Sequence, residues 1–124
     1  MSIYPKISSF DSANGLVIGT ESLPFKWAPI NATASGDNTI IAAVTGRKIR
    51  VIAISFNAAL AVGISFKSNP GNTKIEQMLV AANGNFAANH FPGWFMETNV
   101  GEAFIMNNSL AINVRGSCAY VEIT

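Results

Sequence analysis

Two stretches of the chain alternate strictly between apolar and polar or small positions. In LAVGISFK, Leu60, Val62, Ile64 and Phe66 fall on one side, with Ala61, Gly63, Ser65 and Lys67 on the other. In LAINVR, Leu110, Ile112 and Val114 oppose Ala111, Asn113 and Arg115. A period of two belongs to a strand with one face on a core and one in water. KIRVIAISF behaves differently, because Ile49, Val51 and Ala53 lie on one side while Ile52, Ile54 and Phe56 lie on the other. Both of its faces need cover. In a two-layer sandwich the partner sheet covers only one, so the second face requires the N-terminal segment or another subunit.

The same reading predicts about eight strands, near 39–45, 48–56, 60–67, 74–81, 85–90, 102–107, 110–115 and 117–123. Turn residues separate them: Thr45-Gly46, 57–59, Asn69-Pro70-Gly71-Asn72, Asn83-Gly84, Pro92-Gly93, 99–101 and Gly116. No segment sustains a helical apolar stripe beyond two turns. The expected fold is all-β, a jelly-roll-like antiparallel β-sandwich.

Residues 1–36 differ in character, with Pro5, Pro24 and Pro29 and a single strand-like run at 16–18. They are expected to form an extended N-terminal arm, folded back in part at Asn14-Gly15, ahead of a β-sandwich domain at 37–124. The spaced side chains Ile3, Tyr4, Phe10, Phe25 and Trp27 are not those of a disordered linker, and they predict that the arm is held by a partner chain. In PGWFMETNVGEAFIMNN, Trp94 and Met96 share one side of an extended segment and Phe95 takes the other. One set is expected to enter the core and the other to meet a neighbouring subunit.

Charged residues make up 12% of the chain, against about 25% in ordinary soluble domains. So little charge leaves a surface of Asn, Ser, Thr and Gly, or one partly buried against neighbours. With the KIRVIAISF pattern, this predicts a homotrimer in which Ile52, Ile54, Phe56, Trp94 and Met96 join the arm residues at an interface with a subunit or partner. The net charge is +1, and only Arg47, Lys48 and Arg50 cluster. A nucleic-acid partner, which needs a clustered basic face, is not expected.

Candidate chemistry is sparse. Cys118 and His90 are the only residues of their types, so no internal disulfide is expected, and a Cys-His catalytic pair is disfavoured by the turn position of His90. Of the seven acids, Glu97 and Glu102 flank one loop, where solubilising residues are the simpler reading than a glycosidase pair. Phosphate loops, metal-ligand spacings and nucleophile elbows are not seen. No enzyme activity, cofactor or metal is expected, and neither a membrane span nor a secretory signal.

Residues 37–124 resemble small β-sandwich virion proteins of tailed bacteriophages. The motifs are Thr45-Gly46 ending one strand, KIRV from Lys48 opening a long one, Gly93-Trp94, the GEA of Gly101, and Gly116 ahead of a strand bearing Tyr120. The resemblance implies a head decoration or cement protein, commonly trimeric, that sits on the outer capsid surface and clamps major capsid protein subunits. Head and tail fibre modules share the same look, and a fibre module would bind a receptor or carbohydrate, with Trp94, Asn99 and Glu102 as the candidate cluster.

Overall fold

A computed structural model describes residues 7–11, 15–18, 21–70 and 72–124. Regular structure among them is entirely β. The strands are β1 (Ile7–Asp11), β2 (Gly15–Ile18), β3 (Glu21–Leu23), β4 (Lys26–Ala32), β5 (Gly36–Ile41) and β6 (Lys48–Ala58), followed by β7 (Val62–Asn69), β8 (Thr73–Val80), β9 (Asn85–Asn89), β10 (Met96–Glu97), β11 (Ala103–Asn108) and β12 (Val114–Ile123).

From β4 onward the pairing is that of one long hairpin. β4 pairs with β12, β5 with β11, β6 with β9 and β7 with β8, all antiparallel. Rolling this hairpin adds the β6–β12 and β7–β11 ladders and yields two sheets, ordered β9-β6-β12-β4 and β5-β11-β7-β8. That connectivity is the jelly roll, and the two sheets pack as a sandwich. β10 pairs with β6 at Val51 and Arg50, beyond the stretch paired with β9. The strand beside β6 is therefore broken by the 90–95 turn.

The core lies between the sheets and includes Ile30, Val51, Ile54, Phe56, Ile64, Phe104 and Met106. Phe66 is at its centre. Its ring stacks on Phe104 at 5.6 Å and meets the edge of Phe95 at 5.3 Å. Such pairs add about 0.5–1.5 kcal/mol beyond the area they bury. Thr45-Gly46 forms the expected turn, with Gly46 at a φ of 76° that a Cβ would strain.

The described residues of the expected arm, 7–11, 15–18 and 21–36, do not form a simple extended segment. β1, β2 and β3 form a three-stranded antiparallel sheet, and residues 26–32 are β4, a full member of the sandwich. Ala28, Ile30 and Ala32 of β4 are buried in the core. The sandwich therefore begins at Lys26, ahead of the expected boundary at 37. Small inward residues and Pro29 hide the strand in the sequence, while an edge position tolerates the proline.

The KIRVIAISF strand carries a bulge. Ala119 pairs with Ala53 and Tyr120 with Val51, which leaves Ile52 between them without a register partner. A bulge reverses the inside–outside parity. Ile49 and Val51 before it and Ile54 and Phe56 after it all enter one core, contrary to the alternation expected from an unbroken strand. Ile52 turns outward beside Ala53, and Leu23 and Val121 of the same chain cover it.

Two further expectations change. Residues 110–113 form a loop, so Leu110 is exposed and the last strand runs unbroken from Val114 through Gly116. Leu60 likewise lies outside its strand and is exposed, with β7 beginning at Val62. In both cases the alternation ran past the end of the ladder.

Candidate functional site

The outward face of the β9-β6-β12-β4 sheet is built from the residues that alternate with the core. Its first row across the four strands is Trp27, Ala119, Ala53 and Asn89. The next is Pro29, Ser117, Ser55 and Ala87. Neither row contains a charge. The third row, Asn31, Arg115, Asn57 and Asn85, contains one.

Small side chains on the first two rows leave a shallow depression of about 430 Å³, walled on one side by Trp27. Trp27 is 73% exposed. A second depression of about 350 Å³ adjoins it, bounded by Phe25, Ile52 and Phe91. The Phe25 and Phe91 rings meet edge to face at 6.5 Å. Below this rim the covered Ile52–Leu23–Val121 cluster closes the face.

Farther along the same side, the Arg50 guanidinium carbon lies 3.8 Å from the centroid of the Trp94 ring. Arg50 Nε donates to Glu97 Oε2 at 2.7 Å, and Lys48 Nζ to Glu97 Oε1 at 3.4 Å. The basic cluster of the sequence is thus neutralised in part within its own subunit. Trp94 is 46% exposed, which leaves part of the indole open to a ligand or neighbour.

A polar network holds the 98–102 loop. Glu102 Oε1 accepts from Ser68 Oγ at 2.5 Å and from Asn99 Nδ2 at 3.0 Å, while Asn99 N donates to Ser68 Oγ at 2.9 Å. Lys74 Nζ donates to Asn99 Oδ1 at 3.1 Å. Thr98 is buried, and its Oγ1 accepts from Ile49 N at 2.8 Å. Asn99 and Glu102 therefore come together as structural partners, while Trp94 packs on Arg50.

The residues expected at an interface divide by position. Ile3 and Tyr4 lie outside the described residues, and Phe10 is a backbone position on β1 paired with Leu16. Trp27 and Trp94 are exposed and Phe25 is half-buried. Ile52, Ile54, Phe56 and Met96 are covered by their own subunit, because the bulge and the turn into β10 direct them inward or under Leu23. Trp94 and Met96 do not share an environment: Phe95 and Met96 both pack on the core, and the indole stays outside.

Ala53, Ser55, Ala87, Ser117 and Ala119 floor the depression, and nothing in their residue types marks them as one surface. Their only signal is that they alternate with core residues on three strands, and it becomes readable once register aligns those strands.

Cys118 sits in the core. Burial pushes its thiol up to about 11, against the opposing pull of a backbone hydrogen bond at Ala28. The His90 ring packs on Phe95 at 5.9 Å. Among the described residues, no three His, Cys, Asp or Glu side chains converge to hold a metal ion, and no helix is long and apolar enough to cross a membrane. No protein-family model, curated protein or solved structure matches the chain.

Proposed function

We propose that the chain is a non-enzymatic structural virion protein, a capsid decoration or cement protein that binds the major capsid protein lattice from the outer surface. The observation that carries this reading is Trp27, 73% exposed beside an uncharged, small-residue sheet face. Large exposed apolar areas on small soluble proteins mark sites of protein association. The resemblance of residues 37–124 to tailed-phage virion proteins supplies the context, and Asn99 and Glu102 hold the 98–102 loop in a network of their own. Association by burial of apolar surface needs neither cofactor nor metal.

The test is addition of the purified protein to capsids assembled without it, read by co-sedimentation and by capsid thermal stability. Saturable binding and a raised capsid melting temperature are expected. Failure of the folded protein to bind such capsids would overturn the reading.

A second reading, a head or tail fibre module, draws on Trp94. A half-open indole beside Arg50, Glu97 and Lys48 offers a stacking surface and hydrogen-bonding groups to a sugar ring. Glycan binding that is lost in Trp94→Ala, without binding to capsids, would favour it.

A further inference from the structure

The outward face of the β9-β6-β12-β4 sheet carries both halves of one contact. On β4 the Trp27 indole stands 73% exposed. Across the same two rows, on β12, β6 and β9, the floor is made of Ala53, Ser55, Ala87, Ser117 and Ala119. We infer that this face docks a second copy of the chain, with Trp27 of one copy seated over the Ser55–Ala87 side of the depression of its neighbour.

Size supports this occupant. Packed sheets lie about 10 Å apart, so a floor of alanine and serine cannot be filled by another such floor. An indole fills that gap, and the depression measures about 430 Å³. β4 and β9 stand three strand spacings apart, roughly 14 Å. A two-fold axis lying in the interface, roughly along the strands and above the gap between β12 and β6, therefore carries each Trp27 onto the far side of the other copy's floor. Both knobs and both holes are then engaged, so this contact closes on two copies. The contact is the inference, and solution mass reads the number of copies.

Charge and area agree. The two central rows contain no charged residue, so copies meet without burying an unpaired charge. The nearby Lys26–Glu122, Lys48–Glu97 and Arg50–Glu97 pairs are already made within the subunit. Four strands and seven residues of length give a face roughly 19 by 23 Å. At about 440 Å² in plan, that is roughly half the ~800 Å² per partner of a standard interface, the size of a weak contact that forms at micromolar concentration.

The experiment is analytical ultracentrifugation of the full chain from low to high micromolar concentration. Wild type is expected to associate, and Trp27→Ala and Ala87→Glu to weaken association by about tenfold or more while staying folded. Leu79→Ser, at a side chain 87% exposed on the other sheet, is expected to associate as wild type does. Trp94→Phe leaves Trp27 as the only indole, whose emission should shift to the blue as copies associate. A wild-type monomer throughout, or association unchanged in both Trp27→Ala and Ala87→Glu, overturns the inference. Association without capsid binding upholds the contact and sinks only the capsid reading; capsid binding by a protein that stays monomeric does the reverse.

Discussion

Gly116 pairs with Phe56 across the β6–β12 ladder so closely that a Cβ on Gly116 would stand 1.9 Å from the carbonyl oxygen of the preceding Ser55. The same Cβ would lie 2.6 Å from the Phe56 Cα. Both obstacles are backbone in the middle of a sheet, so no side chain can swing aside. Gly116 is a close-approach residue inside β12 rather than the turn its sequence context suggests.

Gly116→Ala should therefore force β6 and β12 apart and cost about 2–3 kcal/mol or more, the range of severe overpacking. Urea unfolding monitored by far-ultraviolet circular dichroism measures it. A change within about 0.5 kcal/mol would mean that the ladder yields easily.

Truncation separates the roles of the N-terminal strands. A chain starting at Gly36 lacks β4, which loses buried Ala28, Ile30 and Ala32 and the outer partner of β12. Burial of an Ile side chain alone contributes roughly 1.5–3 kcal/mol, against a total of about 5–15 kcal/mol for a typical domain. This chain should show no cooperative thermal transition. One starting at Glu21 keeps β4 and the Leu23 cover over Ile52, and it should melt cooperatively. Cooperative melting of the shorter chain would show that β4 is dispensable.

The sandwich and most of its strands were legible because Val62, Ile64 and Phe66 alternate cleanly and turn residues bracket them. β4 was not, since its inward residues are Ala-Ile-Ala and its outward ones include Trp27 and Pro29, the reverse of a simple hydrophobic pattern. Nor was the bulge at Ile52, which depends on pairing with Ala119 and Tyr120 more than sixty positions away. A straight strand would set Ile52, Ile54 and Phe56 on one uncovered face, and the bulge sends Ile54 and Phe56 into the core instead. The small-residue floor shares this dependence on register, whereas Trp27 and Trp94 carry an interface expectation from low charge and aromatic spacing, and both are exposed on the single chain.

Asn108 is 1% exposed, and neither its Oδ1 nor its Nδ2 has a hydrogen-bond partner. An unsatisfied buried amide costs about 1–3 kcal/mol. Asn108→Leu keeps the branching and approximate volume without the polar atoms, and it should raise stability by about 1–2 kcal/mol. Chemical denaturation of the two proteins side by side decides this; a destabilised variant would indicate that the amide is satisfied in solution.

Cys118 and Tyr120 couple the fold to alkaline pH. Burial raises the Cys118 thiol from 9.0 to about 11, and burial, followed by the nearby Glu122 carboxylate, raises Tyr120 from 10.0. Both groups are neutral when protonated, so the native state holds protons that the unfolded chain has already released. Stability is therefore fully present below pH 9.0 and falls as pH rises toward 11. At about 1.4 kcal/mol per pH unit for one proton, the thiol accounts for roughly 2–3 kcal/mol of the loss, with Tyr120 adding to it at the upper end. In Cys118→Ala the slope between pH 9 and 10 should largely vanish, while the Tyr120 share of the decline above 10 persists. Native Cys118 should also resist thiol reagents at pH 8 and react once the protein is unfolded. Prompt labelling of the native protein, or an unchanged slope in Cys118→Ala, would show that the thiol is not held in the core.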